Sequence, residues 1–249
     1  MSIERKILVT GGSRGIGAAI VRLLVANGDR VVFTWLRDED AATALVKELR
    51  DGGGEVHAIQ GDVADPAFAS RCFDECEARA SGPVTALVNN AGITGRHGPF
   101  AELPLDILRR TLDVNVLGTM LFAQEAVRRW RDAGIAGRIV NVSSAAATLG
   151  SPAEYVHYAA SKAAVDAFTI GLGKEVAGAG IRVNAVAPGT VYTDIHAAGG
   201  VPDRPARVVE RVPLKRIAEP GEIAPAVAWL LSDHASYVTA TVLRVAGGL

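Results

Sequence analysis

Short runs of apolar, mostly β-branched residues recur along the chain, and stretches with helical spacing separate them. KILVT, RVVFT, EVHAIQ, TALVNN, RIVNVSS, IRVNAVAP and TVLRVAG read as strands. Most are near-continuous in apolar character rather than alternating, the pattern of parallel strands covered on both faces. Helical patterns fill Gly15–Asn27, Asp40–Asp51, Pro66–Ala80, Pro104–Asp132, Ala153–Ala179 and Gly221–Leu231. This alternation predicts an α/β fold: a doubly wound, mostly parallel sheet of about seven strands with right-handed crossovers and helices on both faces. No internal repeat, low-complexity tract or linker divides the chain, so residues 1–249 read as one domain. One connection breaks the rhythm. The stretch GTVYTDIHAAGGVPDRPARVVERVPLKRIAEP follows the sixth strand, and a connection of about thirty residues inside a compact domain is usually a functional lid. A lid insertion is therefore expected at about 190–220, beyond the C-terminal end of a strand, where open α/β sheets bind ligands.

Composition narrows the classes. A formal net charge of −1 offers no basic excess for a nucleic-acid surface. No apolar run is long enough to span a membrane. The N-terminus carries Glu4, Arg5 and Lys6 ahead of a short strand, unlike a secretory leader, so a cytoplasmic protein is expected. The only cysteines, Cys72 and Cys76, share a helix face but lack a third ligand, and read as packed thiols. His97, His157 and His196 have no visible metal partners, so no metal site is expected.

The first strand runs into VTGGSRGIGAAI, where Gly11, Gly15 and Gly17 open a helix. Their G-x3-G-x-G spacing differs from the G-x-G-x-x-G dinucleotide fingerprint, but the mechanics are shared. Glycines let the backbone turn tightly beside a pyrophosphate, and the helix start supplies free N–H groups and positive potential.

YAASK places a phenol, Tyr158, and an ammonium, Lys162, one helical turn apart on one face. A free phenol, with a pKa near ~10, is only about 0.1% ionised at neutral pH. A neighbouring ammonium would lower that pKa and make the pair an acid–base group, worth roughly 10² to 10⁴ in rate. Among the tyrosines, Tyr155, Tyr192 and Tyr237 have Ala159, His196 and Thr241 at the equivalent position, so only Tyr158 has an ammonium in helical reach. His157, one helical step away, is expected to point elsewhere.

Taken together with GDV at Gly61–Val63, NNAG at Asn89–Gly92, Asn115 in DVNVLG, VNVSS at Val140–Ser144, APG at Ala187–Gly189 and the C-terminal VLRVAGG, TGGSRGIG and YAASK resemble the short-chain dehydrogenase/reductase family. The resemblance runs in order over essentially the whole chain. It points to the compact branch that includes 3-oxoacyl carrier-protein reductases and glucose-dehydrogenase-like enzymes. It implies a Rossmann sheet, a nicotinamide coenzyme, a small carbonyl or alcohol substrate and a homotetramer.

By that resemblance Tyr158 would exchange a proton with the substrate oxygen, Ser144 would hydrogen-bond it, and Lys162 would hold the nicotinamide ribose. Asn115 would anchor a water linking Lys162 to solvent. The family's serine lies thirteen residues before the tyrosine, at Ala145 here. A one-residue insertion in AAATLGSPAEYVH favours Ser144, with Ser143 as the alternative. Coenzyme contacts would come from Gly11, Ser13, Arg14, Gly15, Ile16 and Gly17. Asp62 and Val63 would grip the adenine, Asn89, Ala91 and Gly92 would follow the adenosine and ribose, and Pro188, Gly189 and Val191 would flank the nicotinamide.

An acid at the end of the second strand would bind the adenine ribose diol. Thr34, Trp35 and Leu36 occupy that place, and Arg37 and Arg14 suit a 2′-phosphate. NADP(H) is therefore preferred over NAD(H), with Asp38, Glu39 and Asp40 read as first-turn helix acids. The alternatives are an NAD(H)-preferring sugar or polyol dehydrogenase and a non-catalytic dinucleotide sensor on the same scaffold. An epimerase or dehydratase of the longer branch would need a larger substrate domain. Thr94, Ala145, Glu154 and Thr190 border the expected substrate space without discriminating its chemistry.

Overall fold

The computed structural model describes residues 5–249. Seven parallel strands form one sheet in the order β3-β2-β1-β4-β5-β6-β7. They are β1 (Lys6–Val9), β2 (Arg30–Trp35), β3 (Val56–Gln60), β4 (Ala86–Asn89), β5 (Arg138–Val142), β6 (Arg182–Pro188) and β7 (Val242–Val245). All seven fall on the predicted apolar runs. Side-chain alternation along β1 feeds two separate cores. Ile7 and Val9 join Ile20, Leu24 and Leu230 on one face, while Leu8 joins Phe68, Phe122 and Trp130 on the other. Both faces are thus dry, which is why the strands read as continuous apolar runs.

Three helices follow the predicted spans closely: α1 (Gly15–Ala26), α2 (Glu39–Asp51) and α3 (Phe68–Arg79). Asp38 caps α2 by accepting from the Ala41 amide at 3.0 Å, and Glu39 and Asp40 occupy its first turn, as expected of helix-dipole acids. Cys72 and Cys76 on α3 are fully buried free thiols.

The long helix expected over Pro104–Asp132 is interrupted. It forms α4 (Leu105–Leu112), a π-helical segment (Asp113–Gly118) and α5 (Thr119–Ala133). Apolar periodicity cannot register one widened turn. The cause is tertiary: Asn115 in that segment hydrogen-bonds the backbone of Ile93. The short α6 (Ala146–Leu149) precedes α7 (Val156–Val176), which starts later than predicted because Ser151 and Ala153 adopt φ of 44° and 60°. Between β6 and α10 (Ala224–Leu231), the connection contains only α8 (Ile195–Ala198), α9 (Arg204–Val208) and 3₁₀ turns. No helix among the described residues is long and apolar enough to cross a membrane.

Candidate active site

The strand order reverses between β1 and β4, and the chain leaves those strands in opposite directions, opening a crevice at their C-terminal ends. The glycine loop turns there. Gly11 and Gly15 hold φ of 64° and 54°, and a Cβ on Gly17 would stand 2.2 Å from the Gly11 carbonyl oxygen. The loop is pinned from β2, since Thr34 Oγ1 accepts from the Gly11 amide at 3.1 Å and the Thr34 carbonyl from Gly12 at 2.9 Å. The first helical bond of α1 runs from Ala18 N to Arg14 O, and no side chain caps the helix. The amides of Gly15, Ile16 and Gly17 therefore lie outside the helical ladder and can receive an anion, with Ser13 and the exposed Arg14 beside them. This cradle fits a dinucleotide pyrophosphate.

At the other end of the crevice, α7 presents Tyr158 and Lys162 on one face. Lys162 is buried; its Nζ donates to the Val142 carbonyl at 2.7 Å and lies 5.9 Å from the centre of the Tyr158 ring. Burial pushes the ammonium's pKa down to about 8. The expected downward pull of Lys162 on the phenol is not what this arrangement produces. Burial raises the Tyr158 pKa, opposed by a hydrogen bond from Ser144 and by the charge of Arg204. The reason is geometric: the ammonium faces the ring and a backbone carbonyl.

The two serines after β5 part company. Ser144 lies near enough to the Tyr158 hydroxyl to lower its pKa, and its Oγ accepts from the Ala146 amide at 3.1 Å. Ser143 is buried, and its hydroxyl donates to the Lys162 carbonyl at 3.3 Å. Asn115 is fully buried; its Oδ1 accepts from Ile93 N at 2.9 Å, and its Nδ2 donates to Ile93 O at 2.8 Å and Ser161 Oγ at 2.9 Å. A Cβ on Gly92 would meet Asn115 Oδ1 at 3.3 Å and Lys162 Nζ at 3.4 Å, so Gly92, Asn115 and Lys162 bound one small space.

The remaining residues singled out in the sequence lie at or just beyond the C-terminal ends of β2, β3, β4 and β6. Arg37 is exposed just beyond β2. Asp62 is held by Arg110 at 2.8 Å and caps the Ala64 amide at 3.0 Å, and Val63 packs in the core. Ala91 backs onto Gly11, where a Cβ would approach the Ala91 Cα to 2.9 Å. Pro188 ends β6, and the Gly189 amide donates to Val245 O at 2.9 Å. Two of these residues turn their side chains inward. The Asn89 side chain turns into the sheet, donating to Asn141 Oδ1 at 3.0 Å, and Val191 buries its side chain in the core. Each can offer only its backbone to the crevice. His157 is buried and packs against Gly95, where a Cβ would stand 2.6 Å from its Nε2.

Sequence reading passes over Asn90, whose Nδ2 donates to Thr10 O at 3.0 Å and Gly11 O at 2.8 Å. It ties the glycine loop to β4 across a separation of 79 to 80 residues. Its place in NNAG is the one signal that could have found it. Gly12 is missed as well: a Cβ there would lie 2.4 Å from Phe33 Cβ.

A crevice at a sheet's switch point, a glycine-lined anion cradle, and a half-buried tyrosine and serine beside a buried lysine together suit a dinucleotide-dependent oxidoreductase. Residues 11–249 match the family model described as enoyl-(acyl carrier protein) reductase. The chain is 44% identical over 243 residues to the uncharacterised oxidoreductase YgfF of Escherichia coli (strain K12), covering 97% of this chain and 98% of that protein. It is 36% identical to a 3-oxoacyl-[acyl-carrier-protein] reductase of Synechocystis (strain PCC 6803), covering 97% and 95%. A blue fluorescent protein from a metagenomic library, solved in complex with NADPH, superposes with a TM-score of 0.89 at 38% identity, covering 100% of this chain and 99% of that one. The chain belongs to the short-chain dehydrogenase/reductase family, and it is an NAD(P)-dependent oxidoreductase.

Proposed function

We propose that the protein transfers a hydride between NADP(H) and a small carbonyl or alcohol substrate, with Tyr158 as the general acid–base. The observation that carries this reading is the convergence of Tyr158, Ser144 and Lys162 at the crevice mouth. The coenzyme supplies the hydride; the protein positions and polarises. Burial keeps the phenol protonated at neutral pH, the form needed to donate to a developing alkoxide. Ser144, beside that hydroxyl, would share the same substrate oxygen. Ser143, spent on the Lys162 carbonyl, braces α7 instead. Lys162, with its lowered pKa, would hold the ribose hydroxyls and pass protons toward Asn115.

The glycine loop would hold the pyrophosphate. Arg14 and Arg37, both exposed and flanking the end of β2 without an acid in between, support a 2′-phosphate and hence NADP(H). The chain acts as a single domain, with the connection at about 190–220 as a lid. Exposed apolar residues on α4 and the segments beside it, Leu105, Leu112 and Leu117, with Ile170 on α7, suit a subunit interface and support a homotetramer. Free buried thiols suit the cytoplasm.

A panel of ketones, 3-oxoacyl thioesters and sugars, followed by nicotinamide absorbance with each coenzyme, tests the proposal. Turnover of at least one carbonyl with a higher kcat/KM for NADPH is expected. A markedly higher kcat/KM for NADH would remove the NADP(H) assignment, and no turnover across the panel would remove the carbonyl class.

A further inference from the structure

Tyr158 adjoins a cluster that proton transfer itself does not use. Three segments distant in sequence close over the start of α7: the lid, the loop after β4, and the turn before α7. Arg204, the first residue of α9, donates from Nε and Nη2 to Glu154 Oε2 at 3.0 and 2.7 Å. Its guanidinium lies 5.4 Å over the ring of Tyr155. Tyr155 is 2% exposed and meets Tyr158 edge-on, with ring centres 6.4 Å apart. The lid backbone rests directly on this cluster. Gly199 O accepts from His97 N at 3.2 Å, and a Cβ on Gly199 would stand 2.7 Å from Thr94 Oγ1 and 3.0 Å from Tyr155 Oη.

The ion pair is no loose surface contact. The Arg204 and Glu154 side chains are 17% and 24% exposed, and a forked, partly desolvated pair of this kind outweighs an exposed one. The other lid cations do not duplicate it. Arg207 is engaged by Asp203 at 3.0 Å, and Arg211, 74% exposed, approaches Glu154 only to 4.0 Å.

We propose that Arg204 is a positioning residue: through Glu154 and Tyr155 it clamps the lid onto the helix that carries Tyr158, and so sets how firmly a substrate is enclosed. Its kinetic consequence rests on the reading of Tyr158 as the acid; the clamp itself can be observed without turnover. Releasing the clamp lowers the population of the enclosed state, which raises KM; losing the Arg204 charge raises the Tyr158 pKa further and so leaves the phenol protonated and the chemistry of the closed complex intact.

The test uses the full chain with R204Q, E154Q and the double variant. In coenzyme-free protein, amide hydrogen exchange across residues 195–211 speeds up about tenfold in each single variant, equivalent to about 1.4 kcal/mol. The double variant exchanges no faster than the faster single, because both lose one interaction. With ethyl acetoacetate as the carbonyl probe and NADPH, KM rises about tenfold and kcat stays within about twofold, with partial recovery in R204K. Unchanged lid exchange in both singles, additive acceleration in the double, or a loss confined to kcat would each overturn the clamp. If R204Q does not fold, E154Q alone carries the test, with the same expected rise in lid exchange and in KM. Altered lid exchange without turnover of any carbonyl in the panel would preserve the clamp and remove the carbonyl reading instead.

Discussion

Tyr158 and Lys162 share a helix face, yet their proton affinities answer to different neighbours. Burial drives the phenol up and the ammonium down to about 8, so each leans toward its neutral form in the coenzyme-free protein. The i, i+4 spacing was enough to find the pair; it could not show that Nζ would turn to the Val142 carbonyl. An ultraviolet titration of the phenolate, wild type minus Tyr158→Phe, should therefore have its midpoint above 10.0, the phenol's ordinary value. The sign follows from burial outweighing the two opposing effects. Since the Ser144 hydrogen bond lowers that midpoint, Ser144→Ala should move it further up, whereas Ser143→Ala, whose hydroxyl bonds the Lys162 carbonyl, should leave it in place. A wild-type midpoint below 10.0 would restore the lysine as the dominant influence.

Elements differ in how openly the sequence declares them. The parallel strands were legible because both faces are dry, and α1 was legible because its glycines precede an apolar face. The π-segment at Asp113–Gly118 was not, since it exists for a contact between Asn115 and Ile93, 22 residues away in sequence. The role of Asn90 was hidden for the same reason. The glycine loop offers the sharpest check at this scale. In Gly17→Ala the new Cβ would meet the Gly11 carbonyl at 2.2 Å, a backbone atom that cannot step aside cheaply. Overpacking of this kind costs roughly 1–3 kcal/mol, so NADPH affinity should fall at least about tenfold and thermal stability should drop. Gly178→Ala, with open space around it, is the control and should change neither. Unaltered NADPH binding in Gly17→Ala would mean that the loop is not the pyrophosphate cradle.

At the scale of the molecule, one topological fact places every functional group: strands on either side of the β1/β4 reversal deliver their loops to the same edge. The glycine loop follows β1, Asn90 to Gly92 follow β4, the serines follow β5, and the lid follows β6. That arrangement was readable from the order of the motifs. The docking of the lid by Arg204 was not, because an arginine in a polar connection carries no periodic signal. Nor does a single chain display its assembly. The exposed leucines of α4 and its continuation predict a tetramer by light scattering at micromolar concentration, and a stable monomer there would argue that this apolar face serves something else.

Tyr158→Phe is the most direct measurement, because it deletes one oxygen and leaves the ring and the coenzyme cradle in place. With a carbonyl substrate from the panel, turnover should fall at least about a hundredfold, while the Kd for NADPH, read by nicotinamide fluorescence, stays within about twofold. A variant that binds NADPH normally and retains more than about a tenth of wild-type turnover would show that the proton comes from elsewhere.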